Sequence, residues 1–389
     1  MLQEQRSTAA PNNAYEERSS LPVEQLLSNI NWNFEVREPA HPIESIHPYP
    51  AKFIADIPYA LMSTLPLAKG SVVLDPFSGS GTTLLSAQRL GMRSIGIDVN
   101  PIACMIARVK TGKTPVDLLE AADRVCSRAA RNSSPRRWDI PNLDHWFKPD
   151  IQNAISSLLE ELDAAEYAAF HDIFRLALSS ILVRVSNQES DTRYAAIEKT
   201  VGRTEVFSGF RNAVNRIDAA LQARDWSQTP ARVIQANTLT LDASAIKQKV
   251  GLVVTSPPYP NAYEYWLYHK YRMWWLGFDP LAVKDAEIGA RAHFFKKEHH
   301  TEHTFWDQMR GAFNLIDEVL IKGGYACFVV GRSKIHGRII DNAHTLEEIA
   351  KEYSFRKVFR FDRTISAKRK SFNLSHANIK TEAVIVFEK

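Results

Sequence analysis

Two short apolar runs, each ending in an aspartate, fix the kind of fold that this chain can adopt. The first, SVVLD, ends at Asp75 and leads into the glycine-rich loop PFSGSG and then TTLLSAQRLG, which has the spacing of a helix closed by Gly91. The second, RSIGIDV, carries Asp98 near its end. Short apolar runs bounded by turn residues are typical of buried strands. A strand, a helix and a strand in succession predict a parallel α/β sheet.

The strand pattern returns in the second half of the chain, after a long helical stretch. ARVIQAN, GLVVTS, YACFVVG, RKVFRFDRT and EAVIVFEK predict further strands, and HTLEEIAKEYSF predicts a helix. Thr114-Pro115 has the residue types that begin a helix, and helical periodicity then dominates. We therefore predict an open α/β sheet of Rossmann-like type with a helical insertion between its second and third core strands. The predicted parts are a mobile N-terminal segment at 1–30, the first part of the sheet domain at 31–114, the insertion at 115–229, and the second part of the sheet domain at 230–389.

Composition excludes several classes of protein. The chain is 45% hydrophobic and 24% charged, as globular proteins are, and it has no apolar run long enough to cross a membrane. Its first residues lack the apolar segment of a secretory signal. Three scattered cysteines do not suggest a disulfide framework or a zinc site. We expect a cytoplasmic protein without a metal ion, and its net charge of +4 permits an acidic partner without requiring one.

The glycine loop and the aspartates at the two strand ends predict a ligand site. A P-loop would have lysine before its hydroxyl residue, but Thr82 directly follows Gly81. A dinucleotide site would have a third glycine where Leu84 stands. S-adenosylmethionine is the third candidate, because its cationic groups suit an acid at the first strand and Asp98 could accept hydrogen bonds from ribose hydroxyls. The alternative is a tight strand-to-helix turn that binds nothing.

The stretch TSPPY, which follows the apolar run GLVV, predicts a rigid turn at the end of a buried strand. Two successive prolines exclude both a helix and ladder pairing. The Ser256 hydroxyl and the Pro257 carbonyl could therefore hold an exocyclic amino group in a fixed position. Hydrogen bonds to both amine protons would aim the nitrogen lone pair at a methyl donor. Tyr259 would offer a ring on which a flipped base could stack.

These motifs carry a resemblance to a known family. DPFSGSGTT and TSPPY, with HPYPAKF upstream, resemble the motifs of the DNA amino-methyltransferases, which methylate cytosine N4 or adenine N6. The resemblance covers most of the predicted α/β domain and implies a methyltransferase sheet that uses S-adenosylmethionine. It implies a catalytic turn formed by Ser256, Pro257, Pro258 and Tyr259. The donor-binding residues that it implies are Lys52, Phe53, Asp75, Phe77, Gly79, Gly81, Asp98 and Asn237. Asn237 stands where such enzymes often carry an acid.

A methyltransferase of this kind would bind double-stranded DNA, and a separate restriction nuclease is the other partner considered. Basic clusters lie at Arg136 to Trp138, in SKIHGR and in SAKRKSF. The candidates for contact with DNA are Tyr263, Arg291, Arg363, Lys368, Arg369 and Lys370. We expect sequence recognition in the helical insertion or in the segment from Gly289 to His303, whose histidines are assigned to a DNA-facing loop and not to a metal site. SNQESDTRY is either an ordinary loop or part of the recognition surface.

The target base expected from the resemblance is cytosine, at N4. Ser256 stands where adenine-modifying relatives usually carry aspartate and many cytosine-modifying relatives carry serine. The alternatives are an adenine-N6 enzyme, an RNA or protein methyltransferase, and an inactive methyltransferase-like module that only binds DNA.

Overall fold

The computed structural model describes residues 21–50, 54–191, 193–260, 263–295, 300–364 and 381–389. The helices are α1 (Val23–Ser28), α2 (Asp56–Thr64), α3 (Thr82–Arg89), α4 (Pro101–Thr111), α5 (Leu118–Ala129), α6 (Leu143–Trp146), α7 (Pro149–Leu162), α8 (His171–Val185), α9 (Arg203–Gln222), α10 (Tyr265–Trp275), α11 (Pro280–Ala286), α12 (Arg291–Phe295), α13 (Glu302–Val319) and α14 (Asn342–Glu352). The strands are β1 (Val72–Asp75), β2 (Ser94–Asp98), β3 (Gln188–Ser190), β4 (Arg193–Ala196), β5 (Ala231–Gln235), β6 (Val250–Thr255), β7 (Leu320–Gly331), β8 (Ser333–Ile335), β9 (Arg338–Ile340), β10 (Arg356–Thr364) and β11 (Thr381–Glu388).

Seven of these strands form one open sheet in the order β5-β2-β1-β6-β7-β11-β10. Strand β1 is parallel to both of its neighbours, and Leu74 pairs with Ile95 of β2 and with Val253 of β6. Only β11 runs against the others, between β7 and β10. The carboxyl ends of β1, β2 and β6 therefore meet at one edge, which is where ligands bind in open α/β sheets. The predicted Rossmann-like sheet and the position of its helical insertion are confirmed.

The central strands are apolar along their whole length because both faces of the sheet are covered. All four residues of β1 and all six of β6 are buried. Successive residues of a strand point to opposite faces, so Val73 and Val254 join a cluster with Leu61, whereas Leu74 packs in another cluster with Phe313. Among the described helices, none combines the length and hydropathy needed to cross a membrane.

The helices inserted after β2 share one apolar core with the helices of the sheet domain. Phe174 of α8 and Phe210 of α9 belong to the same buried cluster as Leu85 of α3, Met105 of α4 and Trp275 of α10. A core that crosses the proposed boundary couples the stability of the two parts. The exact limits of the insertion, 115 and 229, stay predictions.

Two local features of the insertion differ from the pattern in the sequence. Helix α5 begins at Leu118 and not at Thr114, because Asp117 has a φ of 59° and Arg224 holds the Thr114 hydroxyl at 2.9 Å. The polar stretch SNQESDTRY contributes to the hairpin of β3 and β4. Buried Arg272 of α10 pairs with Asp191 at the turn of this hairpin. The hairpin is thus fixed to a helix of the sheet domain.

Adjacent leucines at the start of α5 provide a test of the shared core. Leu118 is 2% exposed and packs in the common cluster, whereas Leu119 is 43% exposed. We expect Leu118→Ala to cost about 2–5 kcal/mol of unfolding free energy and Leu119→Ala about 0.5 kcal/mol or less. Calorimetry of the Leu118 variant should show a single transition at a lower temperature. A separate low-temperature transition, with the main one unmoved, would mean that the insertion unfolds on its own.

Candidate functional site

The glycine loop after β1 is held by the aspartate that ends β2. The Asp98 carboxylate accepts the backbone N–H of Gly79 at 2.8 Å and the N–H of Asn100, just before α4, also at 2.8 Å. Gly79 and Gly81 have φ angles of 47° and 82°, which other residues rarely adopt. A Cβ on Gly81 would lie 2.8 Å from Cβ of Ala107, so α4 could not pack so closely against the loop. The glycines and Asp98 thus fix the loop between two strand ends.

Asp75 lies beneath this loop and not in the wall of the cavity described below. Its carboxylate accepts the Thr255 hydroxyl at 2.7 Å and the N–H of Phe77 at 3.1 Å. Burial raises the pKa of Asp75 to about 6, although these hydrogen bonds act to lower it. Since Thr255 is the last residue of β6, the contact joins the ends of β1 and β6. The structure therefore places Asp75 where it positions the loop, without bringing its carboxylate to the cavity.

A cavity of about 820 Å³, including its open mouth, lies above the carboxyl ends of the strands. Its wall includes six of the predicted residues, which are Phe77, Gly79, Asp98, Asn237, Ser256 and Pro258. The Asn237 side-chain oxygen accepts the N–H of Leu239 at 3.0 Å, which leaves the amide N–H₂ group as its free donor.

The predicted catalytic turn is tied to the neighbouring strand by two hydroxyl groups. The Ser256 hydroxyl donates to the Val329 carbonyl of β7 at 3.0 Å, and the Tyr259 hydroxyl donates to the same carbonyl at 3.2 Å. Because a serine has a single hydroxyl proton, this bond leaves the oxygen lone pairs of Ser256 as acceptors. The buried Pro257 lies between the two. Ser256 is thus oriented to accept, and not to donate, a hydrogen bond at the cavity.

The ring of Tyr259 does not line the cavity in this structure. It packs against the buried cluster that contains Phe313 and Phe328, and desolvation raises the pKa of its hydroxyl. The ring is held there because its hydroxyl reaches Val329. Stacking of a base on Tyr259 stays a prediction.

Aromatic residues from two distant parts of the chain cover the glycine loop. Tyr49 stacks on Tyr265 with ring centres 5.6 Å apart and on His269 with centres 5.4 Å apart. A Cβ on Gly79 would lie 3.4 Å from the Tyr49 ring, so the glycine lets the ring approach. Tyr49 and Tyr265 both line the cavity, and neither was among the predicted site residues. The HPYP motif contained a signal for Tyr49, whereas Tyr265 lies in an aromatic run that was assigned mostly to the core.

Glu287 is a second acid in the cavity wall that the sequence did not reveal. Its carboxylate accepts the N–H of Tyr265 at 2.9 Å and that of Trp266 at 2.7 Å, so it caps the N-terminus of α10. Burial raises the pKa of Glu287 to about 8, and burial likewise raises the pKa of Asp98 to about 6. A cationic ligand beside these two carboxyl groups would lower their pKa values and stabilise their ionised forms.

One predicted DNA contact is wrong. Arg363 is buried, pairs with Glu382 of β11 and donates to the backbone carbonyl of Asn33 at 3.3 Å. Because Arg363 follows Phe359 and Phe361 at alternate positions of β10, its side chain points toward the covered face of the sheet. It fixes the chain at Asn33 to the edge of the sheet and is not available to a phosphate.

The other predicted DNA contacts lie away from the cavity wall or outside the described residues. Tyr263 lies beside Tyr265, with ring centres 5.8 Å apart, and Arg291 begins α12. The remaining predicted residues, Lys52, Phe53, Lys368, Arg369 and Lys370, lie outside the described residues. Within the described part of the chain, no group of three or more histidine, cysteine, aspartate or glutamate side chains is arranged to hold a metal ion.

Comparison with known proteins shows that part of the chain is similar to DNA methylases. A family model described as DNA methylase, covering the N6 and N4 enzymes, matches residues 4–109. The type II methyltransferase M.MjaII of Methanocaldococcus jannaschii is 37% identical over 103 residues, which are 25% of this chain and 19% of that protein. M.MvaI of Kocuria varians is 24% identical over 270 residues, 61% of this chain and 56% of the relative. M.BsoBI of Geobacillus stearothermophilus is 25% identical over 280 residues, 62% of this chain and 55% of the relative.

Over part of its length the chain is thus similar to DNA methylases of the N6 and N4 type. It spans about half the length of M.MvaI and M.BsoBI and a smaller part of M.MjaII. The cofactor of this family is S-adenosylmethionine, and the cavity suits it. The Asp98 carboxylate in its wall is a hydrogen-bond acceptor, and the glycine loop leaves room for close backbone approach.

Removal of the Asp98 carboxylate should weaken donor binding. Asp98→Ala would remove the predicted acceptor for ribose hydroxyls and also release the N–H groups of Gly79 and Asn100. Hydrogen bonds to a charged group are worth about 1.5–3 kcal/mol, so we expect a loss of affinity of roughly ten- to hundredfold. Titration calorimetry with S-adenosylmethionine measures it. Equal affinity in the variant would show that Asp98 does not contribute to the donor site.

The buried Glu287 should make stability depend on pH in a defined direction. Its pKa is raised from 4.5 to about 8 in the folded protein, so the folded state binds this proton more tightly than the unfolded state. The resulting stability is present below about pH 4.5 and is lost as the pH rises toward 8. The melting temperature of Glu287→Gln should therefore rise relative to that of the wild type from about pH 5 to pH 8 and then level off.

A matched variant separates the pH-dependent effect of Glu287 from the effect of losing a hydrogen bond near the same helix. Glu264→Gln alters a half-buried carboxyl next to the same helix terminus, where it accepts the N–H of Ala292 at 3.2 Å. A melting-temperature difference between Glu287→Gln and wild type that stays constant over that pH range would contradict the buried, protonated state of Glu287.

Proposed function

We propose that this chain transfers a methyl group from S-adenosylmethionine to the exocyclic amine of a base flipped out of double-stranded DNA, with N4 of cytosine as its target. The observation that carries this proposal is the meeting of two motifs in one cavity. Ser256 and Pro258 of the rigid turn share its wall with Gly79 and Asp98 of the glycine loop. A donor on the loop and a base at the turn would then be adjacent.

The donor would lie along the carboxyl ends of β1, β2 and β5. We infer that Gly79 and Gly81 allow its approach, that Asp98 accepts from its ribose, and that Phe77 and Asn237 border its adenine. S-adenosylmethionine supplies an activated methyl group on a sulfonium. The protein's task is to hold that group in line with the attacking nitrogen and to exclude water.

The turn would act by making the amine a better nucleophile. A nucleobase amine donates its lone pair into the ring, which makes it a poor nucleophile. Hydrogen bonds from its two protons to the Ser256 oxygen and the Pro257 carbonyl would hold the nitrogen closer to tetrahedral geometry. Since the Ser256 proton is engaged by Val329, its oxygen is already oriented as an acceptor. Such preorganisation lowers the barrier because nothing has to reorganise during the reaction.

The preference for cytosine is supported by the residue at the start of the turn. An uncharged serine is shorter than aspartate and requires the base to come closer, which suits a pyrimidine better than a purine. M.MvaI, M.BsoBI and M.MjaII are type II methyltransferases by name, which agrees with DNA as the substrate.

Analysis of the methylated product tests the proposal. Plasmid DNA incubated with the protein and labelled donor, then digested to nucleosides, should yield N4-methylcytosine. Ser256→Ala and Tyr259→Ala should each lose most of the rate and still bind the donor, because the turn acts on the base and the glycine loop on the donor. N6-methyladenine as the sole product would overturn the base assignment, and unmodified DNA would overturn the activity.

Tyr259→Phe serves as the control for the aromatic ring. It removes the hydrogen bond to Val329 and keeps the ring on which a base would stack. We expect this variant to keep much more activity than Tyr259→Ala. Equal losses in both would show that Tyr259 acts through its hydroxyl and not as a stacking surface.

A further inference from the structure

A small basic hairpin leaves the sheet beside the proposed catalytic turn. Strands β8 and β9 pair directly, with Ile335 opposite Arg338. His336 and Gly337 form the turn with φ angles of 45° and 84°, both in the left-handed region. Tight two-residue turns of this kind match the natural twist of paired strands. The hairpin is therefore a rigid projection.

Hydrogen bonds from neighbouring elements fix the base and the tip of this hairpin. The buried Asn342 side chain at the start of α14 donates to the Gly331 carbonyl and to the Ser333 hydroxyl, each at 2.7 Å. Nε2 of His336, in its donating tautomer, lies 3.1 Å from the His300 carbonyl. The hairpin is thus held against the segment that precedes α13.

Its position follows from the strand that leads into it. The hairpin continues β7, whose Val329 carbonyl accepts the hydroxyls of Ser256 and Tyr259. Strand β7 is parallel to β6, with Phe328 opposite Thr255, so both strands end at the same edge. At roughly 3.3 Å per residue, Ser333 lies within about 13 Å of that carbonyl.

The exposed side chains of the hairpin are basic and apolar, which suits a partner that has negative charges outside and apolar groups inside. Residues 331–340 contain Arg332, Lys334 and Arg338 and no acidic residue. The arginines are exposed, and next to Arg338 the side chain of Ile339 is 71% exposed. A single exposed isoleucine is ordinary on a protein surface. Here it stands on a rigid basic projection at the edge where a base would be taken out of a duplex.

We propose that the hairpin of β8 and β9 contacts the duplex beside the target base, with Arg332 and Arg338 on phosphates and Ile339 against the bases left unstacked by flipping. This inference rests on the proposed function, because it takes double-stranded DNA as the partner. Extruding a base costs a few kcal/mol of stacking, and an apolar side chain at the vacated step offsets part of that cost. The phosphate contacts hold the duplex in register with the turn.

The phosphate contacts are tested with a 30-base-pair duplex of mixed sequence, whose affinity is measured by fluorescence anisotropy over a range of salt concentrations. The double variant Arg332→Ala/Arg338→Ala should reduce the slope of log affinity against log salt by roughly 1.8, since each phosphate contact contributes about 0.9. The control is Lys69→Ala/Arg93→Ala, which removes the same charge at the amino ends of β1 and β2. It should leave the slope nearly unchanged.

The role of Ile339 is tested by measuring the rate of DNA methylation. Ile339→Ala should methylate plasmid DNA about tenfold more slowly, Ile339→Leu should restore most of the rate, and both should bind the donor as the wild type does. If the rate of Ile339→Ala is unchanged, the apolar contact does not exist.

The outcomes separate this inference from the proposed function. A wild-type slope that is steep and equally steep in the arginine variant would overturn the hairpin assignment and leave DNA methylation standing. A slope that falls as expected, in a protein that methylates no DNA, would support the hairpin as a DNA contact and overturn the proposed activity. No binding of the duplex at any salt concentration would overturn both.

Discussion

The site depends on the Asp98 carboxylate, which accepts the backbone N–H groups of Gly79 and Asn100. These two bonds join the loop after β1 to the start of α4 and set the floor of the cavity. On burial the carboxylate loses its bound water, and the two backbone N–H groups replace it. Without these partners the same carboxylate would be protonated or exposed. A cationic ligand above Asp98 would stabilise its charged form further.

The remaining walls of the cavity are built outward from that floor. Asp75 and Thr255 join β1 to β6, which brings the proline turn beside the glycine loop. Tyr49 covers the loop by stacking on Tyr265, and Glu287 holds the start of α10 over the cavity through its N-terminal N–H groups. The floor of the cavity thus belongs to the sheet, and its cover belongs to segments far away in the chain.

The parts of this site that the sequence predicted are those encoded within a few residues. The glycine loop, Asp98 and the SPPY turn each follow an apolar run, so local pattern placed them at strand ends. Glu287 was missed because it becomes a site residue only when α10 begins beside it, a contact between parts of the chain that no periodicity records. Arg363 was assigned to DNA together with the basic residues that follow it in the sequence. It lies two residues after Phe361 in the same strand, so its side chain points to the same covered face.

Sequencing of DNA from cells that express the protein, by a single-molecule method that distinguishes modified bases, tests the central claim most directly. If the cavity joins a methyl donor to a base held at the SPPY turn, N4-methylcytosine will appear within one recurring sequence and will be absent when Ser256→Ala replaces the wild type. DNA without any amino-methylated base in cells that contain the folded, donor-binding protein would contradict the account.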